Sequence, residues 1–284
     1  MIVVTGATGQ LGQLVVEGLV RRVPAADIAA AVRNPEKAAG LAALGVQIRT
    51  ADYNAPESLA TAFAGSNQLL LISSSAVGQR VAQHAAAIDA ARQAGVGHLV
   101  YTSLLHADTS TLGLAPEHLA TEQAVRDSGL PFTLLRNGWY TENYTKTVLL
   151  AADTGSFACN AGDGAISSAA RADYAEAAVA VLTGEGHQGR VYELAGDVAW
   201  TYPELAAELS RATGRAIAFR DVSAASHRQI LANAGLPAAF ADAIVDYDRG
   251  IAEGDLLDSS GELRTLIGRP TTPLADTVAA ILKN

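Results

Sequence analysis

The chain has one cysteine, Cys159, one methionine, and only three lysines, Lys37, Lys146 and Lys283. A single thiol closes no internal disulfide and builds no thiolate metal cage, which excludes a disulfide-stapled secreted fold and fits a reducing compartment. Cys159 reads as an inert buried thiol. No apolar run approaches the ~20 residues that span a bilayer, and the start MIVVTGATG lacks the charged leader of a signal peptide. A soluble, cytoplasmic protein is expected. With 20 basic against 29 acidic residues the formal net charge is −9, and no basic block is present to neutralise a phosphate backbone. Neither nucleic acid nor membrane is an expected partner, and a monomer or homodimer is anticipated. Aromatics are scarce at 5% and charged residues at 17%, but 49% of the 284 residues are apolar, enough for a large buried core.

What is present is an alternation of short apolar runs and helix-like segments. Candidate strands lie at 2–5, 28–32, 46–50, 68–72, 98–103 and 132–136, with helical stretches at 10–22, 56–64, 79–94 and 116–128. Strands alternating with helices predict a Rossmann-type, doubly wound parallel sheet of the α/β class. After Asn137 the alternation weakens. Residues 1–137 are therefore read as the Rossmann domain and 138–284 as a smaller C-terminal α/β substrate lobe, some of whose segments return to the first. Later helices are expected at 171–182, 202–213, 223–234, 238–253 and 273–282, and strands at 191–195 and 216–219.

The first strand runs straight into Gly6, Ala7, Thr8, Gly9, Gln10, Leu11 and Gly12, with glycines spaced three apart. Gly6 permits a sharp turn, Gly9 lets a pyrophosphate approach the backbone, and Gly12 lets the helix pack on the strand. This is a dinucleotide site. The second strand ends at Val32, Arg33 and Asn34, where an acid would bond a free ribose hydroxyl and an arginine would pair with a 2′-phosphate. Arg33 selects NADP(H). Asp52 after the third strand can face the adenine, and Ser73, Ser74 and Ser75 after the fourth can lie along the cofactor ribose.

None of the three lysines has a tyrosine four residues before it, so the Tyr-x-x-x-Lys pair of a carbonyl reductase is absent. His118 and Glu122 stand in its place, a weakly basic pair or a helix-surface hydrogen bond. An acceptor that takes hydride readily, such as a quinone, fits a site without a strong acid-base pair. Asn137, Gly138, Trp139, Tyr140, Thr141 and Glu142 have the composition of a pocket wall, in which Asn137 and backbone atoms through Glu142 hold the nicotinamide end. Tyr140 either stacks on a planar acceptor and donates its phenol hydrogen bond, or belongs with Trp139 to the core. His106 follows a strand end, at the acceptor or on a surface loop. The candidate catalytic groups are thus Tyr140, His106 and Asn137. The six histidines show no paired metal-ligand spacing, and no G-x-S-x-G elbow occurs, so neither metal chemistry nor nucleophilic hydrolysis is expected.

The chain resembles the NmrA-like atypical short-chain dehydrogenases, and within them the bacterial type 2 NAD(P)H:quinone oxidoreductases, with triphenylmethane dye reductases as near relatives. The resemblance rests on the glycine turn, on Val32-Arg33-Asn34-Pro35, on Leu70 to Ser75, on Tyr101 to Ser110, on Leu134 to Tyr140 and on Tyr192 to Gly196. It implies NADPH held by Gly6 to Leu11, Arg33, Ser73 to Ser75, Asn137 to Glu142 and Arg171. It also implies direct two-electron hydride transfer to a quinone, without flavin or metal. Two other readings stay open: a non-catalytic redox sensor, and a reductase of dyes or other conjugated electrophiles.

Overall fold

The computed structural model describes residues 1–283. Strands β1 (Ile2–Thr5), β2 (Ile28–Val32), β3 (Gln47–Thr50), β4 (Gln68–Leu71), β5 (His98–Leu104) and β6 (Phe132–Asn137) alternate with helices α1 (Gln10–Leu19), α2 (Ala39–Ala43), α3 (Pro56–Phe63), α4 (Arg80–Gln93) and α5 (Ala115–Asp127). Then follow α6 (Thr145–Thr154), β7 (Ser156–Cys159), β8 (Ala165–Ile166), α7 (Arg171–Thr183), β9 (Arg190–Leu194), β10 (Trp200–Thr201) and α8 (Tyr202–Thr213). The chain ends with β11 (Ala218–Asp221), α9 (Ala224–Asn233), α10 (Ala238–Glu253), α11 (Glu262–Ile267) and α12 (Leu274–Lys283).

Seven strands form one parallel sheet in the order β3-β2-β1-β4-β5-β6-β9. Every residue of β1, β2 and β5 is buried, as a sheet covered on both faces demands. The pleat sends alternate residues to opposite cores. Val4, Ala30, Leu70 and Val100 pack with residues of α1, α7 and α11, while Val3, Ala29, Leu69 and Leu99 pack with residues of α3, α4 and α5. The strand order reverses between β1 and β4, which opens a crevice at their carboxyl ends.

The chain beyond residue 137 contributes to both halves of the molecule. α7 lies on α1, and Gly18 makes this close approach possible, since a Cβ there would sit 2.7 Å from Val179 Cγ2. β9 extends the sheet in register with β6, from Thr133↔Arg190 to Asn137↔Leu194. The other segments build a second core around Tyr144, Phe157, Trp200, Tyr202 and Leu205. Its small sheets pair β7 with β11 and β8 with β10. No described helix is long and apolar enough to cross a membrane.

Helices α2, α6 and α11 fall outside the helical stretches expected from sequence. α6 buries only Val148 and Ala151 and leaves Leu149 and Leu150 exposed, so its apolar residues mark no single face. α11 is six residues long and is bounded by Gly261 and Gly268, both left-handed, too short for periodicity to register.

Candidate active site

A cleft of about 1120 Å³ lies over the carboxyl ends of β1, β2 and β4. At its centre the chain leaves β1 through Gly6, whose φ of +58° suits glycine. A Cβ on Gly12 would stand 2.5 Å from the Gly6 carbonyl oxygen, so only glycine lets α1 start this close to the turn. The first helical hydrogen bond runs from Gln13 N–H to the Gly9 carbonyl at 2.9 Å. The amides before it have no acceptor in the helix, and the first turn holds no acidic residue. Bare N–H groups and the positive end of a helix dipole therefore face the cleft.

Gly6, Thr8, Gly9, Gln10, Leu11 and Gly12 line this cleft with Arg33, Asp52, Ser73, Ser74, Ser75, Tyr140 and Arg171. Arg33 and Lys37 are exposed at one end, and no carboxylate pairs with either among the described residues. Ala7 is fully buried behind the turn. Lys37, Tyr53, Asn54, Arg80, Gln83 and Thr102 also line the cleft and were missed from sequence. Tyr53 donates its hydroxyl towards Thr5 Oγ1 at 2.6 Å and the Ile72 carbonyl at 2.9 Å, and burial pushes its phenol up.

Of residues 137–142, Tyr140 alone lines the cleft. Its ring lies under the Arg171 guanidinium, 4.7 Å from Cζ, and edge-on to Tyr174 at 5.1 Å. Asn137 donates from Nδ2 to Tyr140 Oη at 3.4 Å, and Asn137 Oδ1 is buried without a partner. Burial holds the Tyr140 phenol above its ordinary pKa. Gly138 donates to the Leu194 carbonyl at 2.7 Å, and Trp139 packs edge-on against Tyr247 at 5.0 Å. Thr141 Oγ1 meets Ser168 Oγ at 2.8 Å. Both Glu142 oxygens accept from Arg171 N–H at 3.0 Å and so cap α7.

His106 lies off the cleft wall with a φ of +52°, its Nε2 3.4 Å from Asp258 Oδ1, and its N–H donating to Glu193 Oε2. The His118 and Glu122 pair is split between two networks. Tyr101 Oη lies 2.8 Å from His118 Nδ1, and burial pushes this imidazole down to about 3. Glu122 is held by Arg136 from Nε at 2.9 Å and Nη2 at 2.8 Å, and accepts from Ser103 Oγ at 2.6 Å.

In the second core, ligand atoms of Cys159, His227 and Asp248 lie within 4.8 Å of one another, all buried. The aspartate already accepts from Tyr202 Oη at 2.7 Å and Asn160 N–H at 2.9 Å, and lies 3.0 Å from His227 Nδ1. Burial pushes the Cys159 thiol up, against thiolate formation.

Comparison with known proteins agrees with this geometry. Residues 6–185 match a family described as NAD(P)H-binding. Quinone oxidoreductase 2 of Escherichia coli is 53% identical over 279 residues, 98% of each chain. A crystal structure of the E. coli NADPH-dependent quinone oxidoreductase with NADPH superposes with a TM-score of 0.97 at 53% identity, covering 100% of both chains. The Citrobacter triphenylmethane reductase with NADP(H) gives 0.96 at 43% identity, covering 99% of this chain and 100% of that one. An NmrA-like family domain-containing oxidoreductase of Aspergillus flavus is 31% identical over 298 residues, covering 98% of this chain and 94% of its own. The chain belongs to the NmrA-like, NAD(P)H-binding family.

Proposed function

We propose that the protein is an NADPH:quinone oxidoreductase that works without flavin. The observation that carries this reading is the single cleft joining unpaired Arg33 and Lys37, the open helix terminus of α1, and the Tyr140–Arg171 wall. That order matches the parts of NADPH: a 2′-phosphate, a pyrophosphate and a nicotinamide ribose. The glycine cradle, which a Cβ at Gly12 would fill, and the lone cations fit the group. When bound, the dinucleotide supplies a hydride.

The chain's residues then have distinct tasks. Arg33 pairs with the 2′-phosphate, the amides of residues 10–12 hold the pyrophosphate, and the free groups of Ser73 and Ser75 meet the ribose. Asn137 orients Tyr140 by donating to its oxygen, which leaves the phenol hydrogen free for an acceptor oxygen. Because burial keeps that phenol protonated at neutral pH, Tyr140 donates a hydrogen bond and is no base. The hydroquinone oxyanion is a phenolate, far less basic than an alkoxide, so one such donor suffices. Catalysis rests mainly on proximity and orientation. We assign His106, through Asp258, to the architecture beside the site.

The test is NADPH oxidation by flavin-free protein with a small p-quinone, alongside NADH, a triphenylmethane dye and a no-protein control. Multiple turnovers with quinone are expected, slowed by Tyr140→Phe about tenfold, the worth of one donor. Tight NADPH binding without turnover of any acceptor would make the protein a sensor, and faster dye than quinone reduction would make it a dye reductase.

A further inference from the structure

The loop after β4 presents serines to the cleft, and its polar groups can be accounted for one by one. Ser73 N–H donates to Thr102 Oγ1 at 2.9 Å, and Ala76 N–H donates to Ser74 Oγ at 3.1 Å. The Ser74 peptide groups are both taken by α4. Its N–H donates to His84 Nε2 at 2.9 Å, and its carbonyl accepts from Arg80 Nε. Arg80 and His84 stand four residues apart and so share one helix face. Glu117 on α5 secures the far side, 3.5 Å from Arg80 Nη1 and accepting from Gly78 N–H at 2.8 Å.

The tautomer of His84 follows from its other neighbour. His84 Nδ1 lies 3.0 Å from Thr121 Oγ1, and that hydroxyl already donates to the Glu117 carbonyl at 2.8 Å. Thr121 can therefore only accept, so Nδ1 carries the proton and Nε2 offers its lone pair to Ser74. What remains without a partner among the described residues is the Ser73 carbonyl and hydroxyl, and the Ser75 N–H and hydroxyl. We propose that His84, in its Nδ1–H form, is a positioning residue for the cofactor, fixing the Ser74 peptide with Arg80 so that Ser73 and Ser75 meet the ribose. This rests on the reading that the cleft binds NADPH.

Around the imidazole stand Arg80 on its own helix, Tyr53 after β3 with ring centroids 6.1 Å apart, Tyr101 on β5 at 5.5 Å, and His118 on α5. The nearby carboxylate, Glu117, is engaged by Arg80 and Gly78. Burial together with Arg80 pushes His84 down to about 4. Below that pH a second ring N–H would face the Ser74 N–H, so cofactor binding should weaken as the ring protonates.

The experiment compares wild type, His84→Leu and His84→Gln for NADPH dissociation constant between pH 7 and 4, for quinone turnover at saturating NADPH, and for melting temperature. Glutamine restores an acceptor near Nε2 and does not titrate. His84→Leu should raise the NADPH dissociation constant about tenfold at pH 7 with turnover at saturation nearly unchanged, the scale of one lost buried hydrogen bond. His84→Gln should bind close to wild type and lack the acid limb. Should the leucine variant not fold, Thr121→Val carries the same test by removing the group that fixes the tautomer, with weaker NADPH binding expected. Wild-type affinity in His84→Leu, or equal weakening by leucine and glutamine in stably folded protein, overturns the inference alone. A wild-type protein that binds no NADPH overturns the cofactor reading as well.

Discussion

The glycine turn and residues 137–142 stand beside the same cleft by opposite means. In the turn, the cleft wall is backbone, and Gly6, Gly9 and Gly12 serve by having no side chain. At the end of β6 the work is done by side chains that mostly face away. Trp139 packs on Tyr247, Thr141 ties to Ser168, Glu142 caps α7, and Tyr140 alone lines the cleft. A backbone site is specified by a few adjacent residues. A side-chain site depends on partners far along the chain, and its neighbours in sequence have other duties.

The two regions should differ most visibly at their glycines. Gly12→Ala puts a Cβ 2.5 Å from the Gly6 carbonyl and 2.7 Å from Ala7 Cα, both backbone atoms that cannot yield. It should cost about 3 kcal/mol of stability and abolish NADPH binding. Gly138→Ala meets the Leu194 carbonyl at 2.9 Å and Tyr174 Oη at 3.1 Å. It should cost about 2 kcal/mol and leave NADPH affinity nearly intact. Denaturant melts paired with NADPH titrations check both, and equal loss of affinity in the two variants would erase the distinction.

Arg33 tests the side-chain part of the cofactor end. Arg33→Ala should raise the NADPH Michaelis constant roughly tenfold to a hundredfold and leave that for NADH nearly unchanged, since only the 2′-phosphate loses a charged partner. Equal losses for both cofactors would remove Arg33 from that role.

Regions built from buried side chains also carry titratable groups, which a glycine turn does not. His84 and His118 are held at about 4 and about 3 against an ordinary 6.5. Below pH 6.5 the unfolded chain takes up protons that the folded chain refuses, so stability falls with pH until each folded pKa is reached. The slope is at most about 1.4 kcal/mol per pH unit for each histidine. Urea midpoints at pH 7 and 5 should show this loss in wild type and less of it in His118→Gln. An unchanged slope would mean that the folded imidazole takes up its proton near the ordinary pH.

Much of the fold was legible because its signals are local. The span of β2 and the start of α3 follow from residues within a few places of one another. In the site, the glycine turn and Arg33 were legible for the same reason. Lys37, Arg80 and Gln83 were not, because nothing within their own segments marks the side that meets the cleft. His118 and Glu122 read as a pair at helical spacing, yet Tyr101 takes the one and Arg136 the other. Such partners are set by strand order, which no spacing within α5 reveals.

Glu142 is the smallest and most discriminating case. As a side-chain contact to the cofactor it would owe its place to the ligand, whereas both its oxygens share the Arg171 amide hydrogen at the start of α7, where a carboxylate opposes the helix dipole favourably. Glu142→Gln keeps an acceptor and removes the charge, so about 1 kcal/mol of stability should go. NADPH affinity should stay the same or rise slightly, because a negative charge leaves the cleft's border. A fall in NADPH affinity matching that of Arg33→Ala would make the Glu142 side chain a direct cofactor contact, and the two regions would then differ only in which atoms they use.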